Sequence, residues 1–375
     1  MRVWMDREGT TEGLKSTIAE ALAEPEVQGL LILGCDGNRL GPAEIDPLLR
    51  EVVVPVVGGI FPALIHDGEI RETGFLVLGL RHSFHVIHIP NLSHPSADYE
   101  ALIDERIGPV TGVSGTLLVF VDGLARRIGA FIESLFTIFG LEPNYIGGGA
   151  GSLTLQQQPC LITPHGLVAD GAVLAILEVT SGIGVSHGWT SLEGPFRVTR
   201  AHGNVIVSLN GRPALSVYRP VVEKHRGEPI PEDQFFSVAG GHPFGIARME
   251  NERIVRDILK PTPEGGLVCV GEVPEGAFVD VLQGDAASLI RAAGRARELA
   301  RAAFPGPGTG AGDLFMDCIS RVLFLGDRFP EELAAVRESG RPLIGACTLG
   351  EIANSGADFL EFYNKTAVVA ALETL

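Results

Sequence analysis

Nowhere in the 375 residues do 18 apolar residues run together. The longest candidate, Gly171 to Val185, is broken by Glu178, Thr180 and its glycines, so no stretch reads as a membrane-spanning helix. The segment Met1-Arg2-Val3-Trp4-Met5-Asp6-Arg7-Glu8 lacks the apolar core of a secretion signal. No membrane insertion is expected, and a cytoplasmic location is the default. Basic residues are also few: 29 Lys and Arg stand against 46 Asp and Glu, a formal charge of -17. A nucleic-acid backbone is held by stripes of Lys and Arg, and none is found, so nucleic acid is not an expected partner. Cysteine is scarce and odd in number. Cys35, Cys160, Cys269, Cys318 and Cys347 lie far apart with no C-x-x-C, which argues against a disulfide framework and a zinc knuckle. His82, His85 and His88 alternate poorly for a metal site. No metal and no cofactor is expected. The loop Phe304 to Gly312 is rich in glycine but lacks the lysine of a phosphate cradle, and its helix precedes it.

What the chain does have is an internal repeat. Leu30-Leu31-Ile32-Leu33-Gly34-Cys35, Leu117-Leu118-Val119-Phe120-Val121-Asp122 and Asp313-Leu314-Phe315-Met316-Asp317-Cys318 are alike. Each is followed by a second block: Pro55 to Gly59, Asn144 to Gly148, and Pro342 to Ala346. The distance from the end of the first block to the first glycine of the second is 23, 25 and 27 residues. An amphipathic run precedes each first block (Thr11 to Ala23, Ala97 to Ile107, Ala286 to Ala303). A second helix separates the blocks (Pro42 to Val52, Leu124 to Phe139, Pro330 to Glu338). A third strand follows (Phe75 to Leu80, Ala172 to Leu177, Thr366 to Leu372), introduced by Asp67-Gly68, Asp170-Gly171 or Asn364-Lys365. The continuous apolar runs mark strands covered on both faces.

The predicted fold is therefore α/β, with three α-β-α-β-β repeats forming mixed sheets covered by helices. About 100 residues of a different, β-rich character separate repeats two and three. The expected divisions are 1–185 for repeats one and two, 186–284 for the β-rich insert and 285–375 for the third repeat. Lys224 to Gln234 is polar and rich in Pro and acidic residues, which predicts a mobile loop.

In such sheets ligands gather beyond the carboxyl ends of parallel strands. Those ends are Cys35, Asp122 and Cys318, with glycines closing the second strands. The third repeat adds Arg321, Glu351 and Asn364. A guanidinium holds a carboxylate and a carboxylate holds an ammonium, so this set suits a zwitterion such as an amino acid. The candidate ligand-binding residues are Arg321, Glu351, Gly345, Gly350, Asn364 and Cys318. A structural ion pair for Arg321 and Glu351, and a turn role for Asn364, are the competing readings. Cys318 as nucleophile of a transferase or hydrolase is a further alternative; a buried inert thiol is the plainer one.

The motifs resemble the FIST-domain family along nearly the whole chain. Gly147-Gly148-Gly149-Ala150-Gly151 is similar to an element of its N-terminal half. Gly188-Trp189, Val198-Thr199, Gly203-Asn204 and Leu209-Asn210-Gly211-Arg212-Pro213-Ala214-Leu215-Ser216-Val217-Tyr218 resemble the junction of its halves. Arg256-Asp257 and Val273-Pro274-Glu275-Gly276 resemble the start of its C-terminal half. Cys318-Ile319-Ser320-Arg321, Glu331-Glu332-Leu333, Pro342 to Ile352 and Phe362-Tyr363-Asn364-Lys365-Thr366 resemble its end. Ala346-Cys347 stand where the family has aromatic residues, and Val57 to Phe61 lacks the family's Glu. The resemblance implies a sensory module for a small molecule, without catalysis, that passes its signal to a separate protein. It also carries the alternative of a haem-binding gas sensor.

Overall fold

The computed structural model describes residues 2–107, 114–248, 253–306, 310–354 and 359–373. Three of its four sheets have six strands in one shared order. At the centre of each is a lead strand: Gly29–Cys35, Thr116–Asp122 or Gly312–Cys318. Beside it runs a parallel partner: Val56–Phe61, Asn144–Ala150 or Leu343–Thr348. On its other side an antiparallel return strand follows: Phe75–Leu80, Gly171–Leu177 or Ala367–Leu372. The register puts Cys35, Asp122 and Cys318 at the same final position, opposite Phe61, Ala150 and Thr348.

All seven residues of each lead strand are buried, as the continuous apolar runs of the first two require; the third buries Asp313 and Asp317 as well. Their side chains divide by alternation. Leu314 and Met316 join Leu118, Phe120, Leu31 and Leu33 in a core shared by the three sheets. Phe315 points outward, under the helices Ala286–Ala303 and Phe329–Val336. Leu117, Val119 and Val121 likewise lie under Ile128–Phe139. Asp285 caps the long helix 286–303 by accepting from the Ser288 N–H at 2.7 Å, as its position before the amphipathic run predicts.

The far edge of each sheet comes from another repeat. The hairpin Ala63–His66 and Glu69–Arg71 leaves the first sheet and pairs with Leu343–Thr348 of the third. Leu161–Thr163 and Gly166–Val168, from the second repeat, complete the first sheet. Glu351–Asn354 and Leu360–Tyr363, from the third, complete the second sheet. Asp67-Gly68 therefore turns this exchanged hairpin; Gly74, at φ 117°, holds the place before the first return strand that Asp67-Gly68 was expected to fill.

One glycine per partner strand is a packing requirement. A Cβ on Gly58, Gly147 or Gly345 would stand 1.7, 1.8 or 1.7 Å from the carbonyl oxygen of Ile32, Val119 or Phe315 respectively. These glycines allow two backbones to approach, which corrects the expectation that Gly345 faces a ligand.

The segment between the second and third units forms an eight-stranded sheet around the 13-residue strand Thr190–His202. That strand pairs with Phe278–Gln283 on one side and Val205–Leu209 on the other. The segment also carries helices Ala214–Arg226 and Phe235–Gly240, so it is less purely β than its turn punctuation implied. Lys224, His225 and Arg226 form the last turn of the first of these, and Glu232–Gln234 is a short helical turn. Both ends of the predicted mobile loop are thus helical. Of the glycine-rich loop before the third lead strand, residues 307–309 lie outside the described residues.

Candidate ligand-binding site

The site is built where two lead strands end. At the second, the Asp122 carboxylate accepts from the N–H groups of Leu124 at 3.0 Å and Asp170 at 2.8 Å, and from Gln157 Nε2 at 2.8 Å. These bonds fold residues 123–127 into a loop, so the helix begins at Ile128 and not at Leu124. Arg127 closes the loop in the left-handed region at φ 62°, with its guanidinium donating to the His94 carbonyl at 2.7 Å. At the third, Cys318 precedes a short helix, Ile319–Leu325, that the spacing of the repeats did not predict.

Between these two ends and the inserted segment lies a cavity of about 1030 Å³. Gly123 to Gly129 form one wall, Cys318 to Ser320 with Leu323 another, and His202 to Asn204 with Cys269 to Glu272 a third. The mouth is apolar. Among the described residues eight large apolar side chains stand exposed, and four of them, Leu153, Leu155, Phe236 and Leu323, line this cavity. Leu155 is held there with φ 55°, a conformation a branched side chain adopts only under constraint. The charged side chains that line the cavity balance: Arg126 and Arg127 against Asp257 and Glu272.

The floor is polar. Cys318 is 3% exposed. The Glu351 carboxyl is fully buried and stands outside the cavity lining. Glu351 accepts from the Thr348 hydroxyl at 2.7 Å and the Thr366 N–H at 3.3 Å. Burial pushes the Glu351 carboxyl up to about 8, against the pull of these bonds. Burial, then the adjacent Glu351, raises the Cys318 thiol too. Lys365 adopts φ 51° and is buried, with Nζ 3.3 Å from Asp257 Oδ2 and 5.5 Å from the Trp189 ring centroid. Asn364 donates to the Tyr363 carbonyl at 2.8 Å and accepts from the Asp257 N–H at 3.4 Å, so it is at once a turn residue and part of the floor. Among the described residues no cluster of His, Cys, Asp and Glu is arranged to hold a metal ion.

The FIST N domain profile matches residues 29–212, and the FIST C domain profile matches 214–354. The chain belongs to the FIST family. FIST domains are linked to sensory signal transduction. Uncharacterized protein Rv0628c of Mycobacterium tuberculosis is 32% identical over 178 residues, 45% of each chain. Uncharacterized protein Mb0898c of Mycobacterium bovis is 29% identical over 218 residues, 55% of each chain. The alignments thus span about half the length of these relatives. Among the described residues no helix is long and apolar enough to cross a membrane.

Across the two FIST halves, the six residues singled out from sequence divide evenly. Cys318, Gly350 and Asn364 line the cavity. Arg321, Glu351 and Gly345 do not. Arg321 is fully buried and its guanidinium is fully engaged. Nε and Nη2 donate to Glu332 at 2.9 and 2.7 Å. The nitrogens also donate to the carbonyls of His187 at 2.8 Å, Lys365 at 3.1 Å and Leu289 at 2.9 Å. Asp317 lies 3.2 Å from Nε, and its acid is pushed well up by burial and by Glu332. The expected clamp of Arg321 and Glu351 on a zwitterion is corrected by helix geometry. In Ile319–Leu325, Ser320 and Leu323 share the cavity face, while Arg321 and Leu325 share the opposite one. Arg321 and Glu351 do not pair with each other either; each is a buried support of the floor.

A ligand between the third repeat and the β-rich insert was the expectation from sequence; the FIST N wall from Gly123 to Gly129 and the individual residues of the inserted wall went unpredicted. Asp122 was visible as a strand end, and the same rule that picked out Cys318 would have picked out its loop. Asp257, Cys269 and Glu272 reach the site through tertiary packing alone.

Proposed function

We propose that this FIST protein is a sensor that binds a small molecule in the 1030 Å³ cavity and passes the signal, without catalysis, to a separate protein. The observation that carries this reading is the composition of the walls. The FIST N loop 123–129, the inserted segment and the FIST C strand end each supply one side. A ligand touching all three has a different affinity for any arrangement that separates them, which is what a binding-driven shift requires. The size suits a drug-sized molecule better than a free amino acid. With Arg321 and Glu351 withdrawn behind the floor, an amino-acid ligand has lost its clamp. The balanced charges and apolar mouth favour a neutral body with one polar end.

Native mass spectrometry of the purified protein tests this, together with thermal-shift measurements on 2-nonanone, nonan-1-ol and a panel of amino acids. The neutral apolar compounds are expected to stabilise the wild type and to lose that effect in Leu155→Glu. Stabilisation by an amino acid alone would return the ligand class to zwitterions. An intense Soret band would return it to haem. No response to any compound, with no co-purified mass, would sink the cavity as a ligand site.

A further inference from the structure

Taking the cavity to be the ligand site, we propose that its ligand is a neutral alcohol or phenol with an apolar body, whose hydroxyl donates to the Glu272 carboxylate. Four other polar side chains of the walls are committed elsewhere. Asp257 accepts from the Ile258 N–H at 3.1 Å and stands 3.3 Å from Lys365 Nζ. Arg127 donates to the His94 carbonyl, and Asn364 is spent on Tyr363 and Asp257. The Ser93 hydroxyl donates to Asp170 at 2.5 Å. Glu272 differs. It is half-buried on the inserted wall, and among the described residues its carboxyl has no hydrogen bond or ion pair. Burial raises its acid, and Arg127 pulls the other way. The carboxyl has thus been drawn partly out of water without gaining a donor.

A missing side chain lodges this carboxyl between two walls. Glu272 Oε2 lies 2.7 Å from where a Cβ on Gly129 would stand, in the first turn of helix Ile128–Phe139. Gly129 leaves the space that the carboxyl fills, and the start of a helix favours negative charge there. The same surroundings select the polar end of the ligand. Arg127, Glu133 and Arg256 all act on Glu272, so two cations already stand against two carboxylates. An ammonium would add a third cation beside the positive end of a helix. A ligand carboxylate would meet Glu272 as a like charge. A ketone has no hydrogen to give. A hydroxyl donates to the carboxylate and leaves the charge balance as it is, and a hydrogen bond to an ionised acceptor is stronger than one between neutral groups. The apolar body then packs against Leu153, Leu155, Phe236 and Leu323 at the mouth.

Isothermal titration calorimetry of the full chain with nonan-1-ol, 2-nonanone, nonylamine and nonanoic acid tests this. Nonan-1-ol is expected to bind tightest, roughly 10- to 10²-fold more tightly than 2-nonanone, the scale of a hydrogen bond to a charged group. Glu272→Leu should erase that preference for alcohol over ketone, and Glu272→Gln, whose carbonyl still accepts, should keep part of it. Gly129→Ala tests the position of the carboxyl. Its Cβ meets only the flexible end of Glu272, so the preference should fall while the melting temperature stays near wild type. Should Glu272→Leu not fold, wild type and Gly129→Ala decide. Equal binding of alcohol and ketone, or tighter binding of the amine or the acid, overturns the proposal and leaves the cavity standing as a ligand site. So does a preference that survives Glu272→Leu. If none of the four compounds binds, the cavity reading falls and this one falls with it.

Discussion

Replacing Arg321 with Ala removes a fully buried cation that makes five hydrogen bonds. Three backbone carbonyls lose a donor, and Asp317 and Glu332 are left facing each other without a counter-charge. Breaking a buried pair by deleting one partner destabilises by about 3–5 kcal/mol. The carboxylates can relieve part of this by binding protons, which gives the prediction a second axis. In the variant the folded pKa of Asp317, already raised by burial and by Glu332, rises further above its unfolded value. Stability is then retained below the unfolded carboxylate range and lost as pH rises. The deficit against wild type, from guanidinium unfolding, is therefore expected to be about 3–5 kcal/mol at pH 8 and smaller at pH 5. Arg321→Lys should fall between, since three rotatable donors replace a planar fork. A loss under about 1 kcal/mol, coupled to loss of ligand binding, would show that the guanidinium serves the cavity and would refute this account.

Three further predictions concern stability. Burial, followed by the neighbouring Arg321, lowers the His187 imidazole from 6.5 to about 4, and its Nδ1 accepts the Trp189 N–H at 2.9 Å. A base with a depressed folded pKa stabilises above its unfolded pKa and less as pH falls below it. His187 is partly exposed, so the loss from pH 6.5 to 4 should be about 1–2 kcal/mol, and His187→Gln should flatten this limb in pH-dependent melts. Glu351 works in the opposite sense, because its pKa is raised: its contribution is complete below about 4.5 and lost as pH climbs to about 8. Gly345→Ala places a Cβ 1.7 Å from the Phe315 carbonyl oxygen, so a loss above about 4 kcal/mol or failure to fold is expected. A melting temperature matching wild type would mean the strands can separate there.

The first two lead strands were legible as short, continuous apolar runs, and the third by its likeness to them, each ending in a recognisable Cys or Asp. The parallel partners followed from the spacing to their glycines. The edges of the sheets were not legible. Nothing in the local pattern of Ala63 to His66 says that His66 lies opposite Ile344, 278 positions away. The strand-end rule found Cys318, Gly350 and Asn364 because it depends only on local order. It misplaced Arg321 because a single residue along a helix, about 100° of rotation, separates the cavity-facing Ser320 from the buried Arg321, and no helix was predicted there. Glu351 was recognised as chemically important but assigned to the ligand, when its partners are the Thr348 hydroxyl and the Thr366 N–H. Lys365 was passed over as a turn neighbour, since nothing in its sequence context signals a buried ammonium.

The exchange of hairpins among the three sheets sets conditions on how the chain is made. When the hairpin 63–71 emerges from the ribosome, the strand it must join has not been synthesised. At about 5–20 residues per second, the 278 residues to its partner take on the order of tens of seconds. The first sheet gains its outer edge earlier, once Leu161–Thr163 appears, but the second must wait for Glu351–Tyr363. Until the last fifth of the chain is translated, strand edges stand open, and open edges invite pairing between chains. A nascent chain of this kind needs shielding during synthesis. A fragment ending before residue 343 would leave the hairpin 63–71 without its sheet and the second sheet without its outer pair. Ribosome-bound chains stalled before that point should be protease-sensitive throughout and become resistant together when it is passed.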